Sequence, residues 1–200
     1  MSALLQPFGL RPAFHPSGLD RAQALAGGIV SGYSSNIYKG QPIVYGTTAN
    51  SGTTGTIQLA LATGTVTGAF AGVEWTDTTG RRRVSNYWPA STAYQTGSCV
   101  AYFYNDPNIV YEIQADASLA QTSIGNEYNF TSANINNGST YTGLSQATLG
   151  VSTAVGNAGQ GQMRVVDIGQ GVDNNWGDAY TIVRVVMTNT QFFGQFTAIA

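Results

Sequence analysis

Acyl-transfer chemistry needs a nucleophile, a base and an orienting carboxylate. This sequence offers one histidine, His15, and one cysteine, Cys99. His15 stands in PFGLRPAFHPSG (7–18), where three prolines fall within ten residues. Such a segment is a poor frame for a base, which must be held to a fraction of an ångström. No Gly-x-Ser-x-Gly elbow is present, and Cys99 in SCVAYFY reads as a small core residue. Packing is the expected use of both.

The other chemical candidates thin out in the same way. Two residues of the Cys/His class cannot build a zinc site. Asp173-Asn174-Asn175-Trp176-Gly177-Asp178 is rich in oxygen ligands, but its spacing is not that of a calcium loop. A tight turn entering the next strand accounts for it. GNAGQGQ (156–162) and GQG (169–171) lack the strand–glycine–helix context and the Lys-Ser/Thr ending of a phosphate loop, and read as turns. Ten acids are present, with no spacing that pairs two of them across a cleft. The expectation is a chain with no catalytic residues, metal or cofactor.

Two clusters suit binding instead. Arg81, Arg82 and Arg83 are either a solvated loop tip or a contact for acidic protein surface. Trp75, Tyr87, Trp88, Tyr102, Tyr104, Trp176 and Tyr180 suit either a sugar-binding platform or core and interface packing, the latter covering most of them.

Composition points toward protein contact. Only 9% of the 200 residues are charged, where about 25% is usual. Gly, Ala, Thr, Ser and Asn take their place. With 11% aromatic residues the chain is not of the disordered class. A weakly ionic surface packs against protein at low desolvation cost. The net charge of −2 and a single lysine, Lys39, argue against nucleic acid. No apolar run reaches the ~20 residues of a membrane span. No secretory leader is visible, so folding in a cytoplasm is expected.

The elements that must position these residues are strands. Ser98–Tyr104 and Ile109–Gln114 read as a hairpin around Asn105–Asn108. On the second strand Ile109, Tyr111 and Ile113 share one face, and Glu112 and Gln114 the other. Tyr180–Met187 and Met163–Ile168 are strong strands. Weaker ones are 37–45, 57–61, 69–75 and 191–199. DRAQALA (20–26) is a short helix or an extended strand. The polar segment 131–161 reads as a long excursion with one or two edge strands. The expected fold is all-β, an antiparallel sandwich or barrel of jelly-roll type, with one domain over 29–200 behind an extended arm over 1–28.

The arm carries Phe8, Leu10, Arg11, Pro12, Phe14 and His15 on a segment that can be neither helix nor central strand. Proline lowers the entropy lost on docking. The arm therefore lies either along another protein surface or back on its own sheet.

FGLRPAFHPSG (8–18), AGVEW (71–75), VSNYWPA (84–90), VAYFYNDPNIVYEIQAD (100–116) and DNNWGDAYTIVRV (173–185) resemble tailed-phage virion proteins of the capsid decoration, cement or head-stabilisation kind. The resemblance runs over most of the chain. It implies a structural role on the outside of the phage head, with the major capsid protein as partner. It also implies self-association, as a trimer in preference to a dimer. Interface residues would then be the six arm residues named above together with Arg81, Arg82 and Arg83. The rival expectation is a carbohydrate-binding β module of a tail fibre or host-recognition protein.

Overall fold

The computed structural model describes residues 2–18, 25–46, 55–155 and 159–191. The fold is all-β. Among the described residues twelve strands form two six-stranded sheets, and every pairing between these strands is antiparallel. In chain order they are β1 (Arg11–Phe14), β2 (Leu25–Gly27), β3 (Pro42–Tyr45), β4 (Ile57–Leu59), β5 (Gly68–Thr76) and β6 (Arg82–Ser85). Then come β7 (Val100–Tyr104), β8 (Val110–Gln114), β9 (Glu127–Phe130), β10 (Leu149–Val155), β11 (Met163–Ile168) and β12 (Ile182–Met187). The first sheet runs β1-β8-β12-β11-β9-β10. The second runs β2-β7-β5-β3-β4, with β6 on the far half of β5. Among the described residues no helix is long and apolar enough to cross a membrane.

Side-chain alternation assigns the cores. Tyr111 and Ile113 of β8, Val183 and Val185 of β12, and Met163 and Val165 of β11 project into the space between the sheets. Val44 and Ala69 meet them from the second sheet. Their chain neighbours Ile43 and Phe70 point the opposite way, into a second core with Phe103, Trp75 and Trp88. The second sheet is therefore buried on both faces. A bulge in β5 between Phe70 and Gly72 shifts the alternation by one residue. It returns Val73 and Trp75 to the face of Phe70.

The expected hairpin does not form: β7 lies in the second sheet and β8 in the first. A four-residue loop over 105–108 would set Ala101 and Phe103 on the same face as Glu112, and away from Tyr111 and Ile113. The two apolar faces serve different cores, so the connection turns a corner between sheets. Asp106 shapes it by accepting the Asn108 N–H at 2.8 Å. The strand expected over 37–45 is confined to Pro42–Tyr45, because Gly40 has a positive φ of 80°. Of DRAQALA, Leu25 and Ala26 lie in β2 and 20–24 lie outside the described residues. Most of the strand expected over 191–199 also lies outside them. The 131–161 segment supplies β10, an edge of the first sheet.

Candidate functional site

Over residues 2–15 the arm is fastened to the fold at several points. β1 pairs with β8 as an edge strand, a position that tolerates Pro12. Ahead of β1, the buried Gln114 side chain stands in for a strand partner: its amide donates to the Leu4 carbonyl (2.9 Å) and accepts the Gln6 N–H (2.9 Å). At the start of the arm, the Ser2 hydroxyl donates to Asp178 (2.6 Å), and the Ser2 carbonyl accepts the Tyr180 N–H (2.9 Å). Leu10 donates its N–H to the Gly40 carbonyl (2.7 Å) and buries its side chain in the first core. That burial contributes about 1.5–3 kcal/mol.

Arg11 begins a row of alternating charge. Its guanidinium meets the Glu112 carboxylate at 2.5 Å, and Arg184 reaches the other oxygen at 3.5 Å. These are register partners across β1, β8 and β12, and Asp167 on β11 stands opposite Arg184. Residues directly opposite share a face, so a sign-alternating row is favourable. Arg11 also lies over the Phe8 ring, 4.6 Å from its centroid.

His15 is engaged at both nitrogens. Ser17 donates its N–H to Nδ1 (3.1 Å), which leaves the proton on Nε2, facing Asp106 at 3.1 Å. The Asp106 carboxyl is held below its ordinary range, first by the Asn108 N–H and then by His15. Of the remaining arm residues, Phe8 and Pro12 are half-buried, while Phe14 points outward at 54% exposure. Leu4 and Leu5 are exposed too, toward the Gln114 end of β8, whereas Phe14 lies opposite Val110.

The arginine cluster is mostly paired within its own hairpin. Arg82 pairs with Glu74, and Arg83 donates to Asp77 at 2.9 Å. Asp77 also accepts the Thr79 hydroxyl and the backbone N–H groups of Thr79 and Arg81, closing the turn. These bonds, led by the Thr79 hydroxyl, hold its carboxyl far below the usual carboxylate range. Among the described residues, Arg81 alone of the three lacks a carboxylate partner.

The chemical candidates stay dispersed. Cys99 packs against the second core, and burial pushes its thiol up, opposite to an activated nucleophile. Asn174 in DNNWGD is a strand cap: its side chain donates to Gly169 and Ile182 carbonyls and accepts the Ile182 N–H. Asp178 accepts the Ser2 hydroxyl and the Asn175 N–H. The Ser2 hydroxyl is the main cause of its lowered pKa. No group of three or more His, Cys, Asp and Glu side chains suited to a metal exists among the described residues. Of the seven aromatic candidates, Trp75 and Trp88 are buried and the other five are half-buried. Among the described residues the exposed rings are Phe14 and Tyr141, both absent from that set.

Sequence reasoning missed Ser2, Gln114 and Asn174. Gln114 and Glu112 did leave a signal, as polar positions alternating with Ile and Tyr in β8. The arm crossing that second face is what the alternation cannot show.

Phe8 and Arg11 line two clefts beside the arm. The smaller, about 150 Å³, lies between the arm and the turn 169–174, with Glu112 and Ile182 in its wall. The larger, about 260 Å³, is lined by Leu10, Pro12, Phe70, Tyr104 and Leu144, with Lys39 and Gly40. Geometry and fold define an antiparallel β sandwich with a fastened edge arm. No family model, curated protein or solved structure matches the chain.

Proposed function

We propose that this chain is a structural virion protein of a tailed phage, a decoration or cement protein binding the outer surface of the major capsid lattice. One observation carries the reading. The arm is fixed at Ser2, Leu4, Gln6, Leu10 and Arg11, yet turns Leu4, Leu5 and Phe14 outward. Preset outward apolar side chains on a weakly charged surface suit contact with another protein, because little entropy is lost on docking. It needs no reaction, metal or cofactor. Many copies on one shell would resist internal pressure together, and self-association would add avidity. The chain would fold in the host cytoplasm and act on the head exterior. The sequence resemblance to virion proteins points the same way. A sugar platform would need exposed coplanar rings, and the seven candidates are buried or half-buried.

The test is occupancy on intact heads, measured against the shell subunit. The wild-type chain is expected to co-purify at fixed stoichiometry, and Phe14→Asp with Leu4→Asp to lower occupancy strongly. Absence of the wild-type chain from purified heads would refute the reading.

A further inference from the structure

The larger cleft beside β1 has an apolar lining and a cationic rim. Phe8, Pro12, Tyr104 and Leu144 supply its accessible apolar surface, above the almost wholly buried Leu10 and Phe70. Lys39 and Arg11 line the cleft, and no carboxylate does. Lys39 is the chain's only lysine, is exposed, and has no ion pair among the described residues. Arg11 donates to Glu112 with its side chain still 58% exposed, so further guanidinium donors remain for a second carboxylate. The chemistry that fits is an apolar side chain next to a carboxylate.

The same chain displays that pair. Val172 is 100% exposed, and Asp173 beside it is exposed with no ion pair among the described residues. The turn holding them is preset: Asn174 ties it to Gly169 and Ile182, and the Ser2 hydroxyl contacts the Asp173 carbonyl. Val172 and Asp173 line the smaller cleft with Phe8 and Arg11, so knob and larger cleft adjoin on the surface.

We propose that Val172 of one copy seats in the larger cleft of a second copy, with Asp173 meeting Lys39 and Arg11. Polarity and charge both match: an apolar side chain meets an apolar lining, and a carboxylate without an ion pair meets Lys39 and the exposed donors of Arg11. Knob and cleft are different surfaces. The contact is therefore either reciprocal about a two-fold axis or head-to-tail. It does not rest on the head-binding reading.

Sedimentation velocity of the full chain over a concentration series tests it. The wild-type chain is expected to self-associate. Val172→Asp, Lys39→Glu and Asp173→Lys should each weaken association by about tenfold or more, the loss of one interface anchor. All three positions are exposed, so circular dichroism and the melting temperature should stay at wild-type values. Mixing the Lys39→Glu and Asp173→Lys chains should recover association, because the reversed rim then meets the reversed knob. A wild-type chain that stays monomeric overturns the contact. So does Val172→Asp associating like wild type, or a charge-swapped mixture that does not recover. A monomer that still occupies heads would sink the contact and leave the head-binding reading standing; association without head binding would do the reverse.

Discussion

Gly9 and Gly40 face each other where the arm crosses the lead into β3, and both have positive φ (72° and 80°). A Cβ on Gly9 would lie 2.5 Å from the Gly40 carbonyl oxygen, and one on Gly40 would lie 2.9 Å from the Leu10 carbonyl oxygen. Both obstacles are backbone, which cannot swing aside. The close approach is what lets Leu10 donate to Gly40 and reach the core. Gly9→Ala and Gly40→Ala are each expected to lower stability, with about 1–3 kcal/mol from backbone strain alone. Urea unfolding measures it. An unchanged midpoint in both variants would show that the crossing is not under this constraint.

Glu127 and Arg164 make a different kind of pair from Glu74 and Arg82. Glu127 is wholly buried, accepts Arg164 at 2.7 Å and the Gly161 N–H at 2.7 Å, and stands opposite Arg164 in the ladder. Glu127→Gln leaves a half-buried guanidinium without its counter-charge, at a cost of about 3 kcal/mol. Arg82→Ala removes an exposed pair that water and salt already screen, so its unfolding midpoint should barely move. Comparing the two variants in one denaturant series tests the ranking, and equal losses would contradict it.

Strand identity was readable where alternation and β-branching coincide, as in β11 over Met163–Ile168 and β12 over Ile182–Met187. Strand partnership was not. Alternation in VAYFY and VYEIQ states which side chains share a face, but the partner depends on which core that face meets. Residues far away in the chain decide that. The arm shows the same divide. Its prolines exclude helix and central strand, leaving an edge strand such as β1. Its fastening by Gln114 and Asp178 joins positions more than a hundred residues apart, which no local pattern records. The arginine cluster was visible as a run of charge. Its neutralisation by Glu74 and Asp77 depended on the β5–β6 register.

Truncation and point substitution of the arm should separate folding from contact. Deleting residues 1–14 removes an edge strand, the buried Leu10 and the Arg11 partner of Glu112. The loss of Leu10 burial alone is worth about 1.5–3 kcal/mol, so the truncated chain is expected to melt well below the intact one. Phe14→Asp changes an outward side chain and should leave the melting temperature near that of wild type. Calorimetry on both variants checks the contrast. A truncated chain as stable as the intact one would mean the arm does not contribute to the fold.

Acid should loosen the arm at its two ends before the sandwich opens. Asp178 receives the Ser2 hydroxyl, and Asp106 faces His15. Both carboxyls are held below their ordinary value, Asp178 chiefly by Ser2 and Asp106 chiefly by the Asn108 N–H. The sign follows from linkage. A carboxylate whose folded pKa lies below its unfolded value, about 3.9 for Asp, stabilises the fold fully above that value. The contribution fades as pH falls through the folded pKa, so it is intact at neutral pH and lost in strong acid. Gln114 titrates nowhere, and its amide bonds to Leu4 and Gln6 should persist through the same range. Hydrogen exchange, corrected for the intrinsic pH effect, should therefore show protection falling near Tyr180 and around His15–Gly18 below about pH 4, with the amide of Gln6 still protected. Uniform loss along the arm, or none at either end, would show that these carboxylates do not hold it.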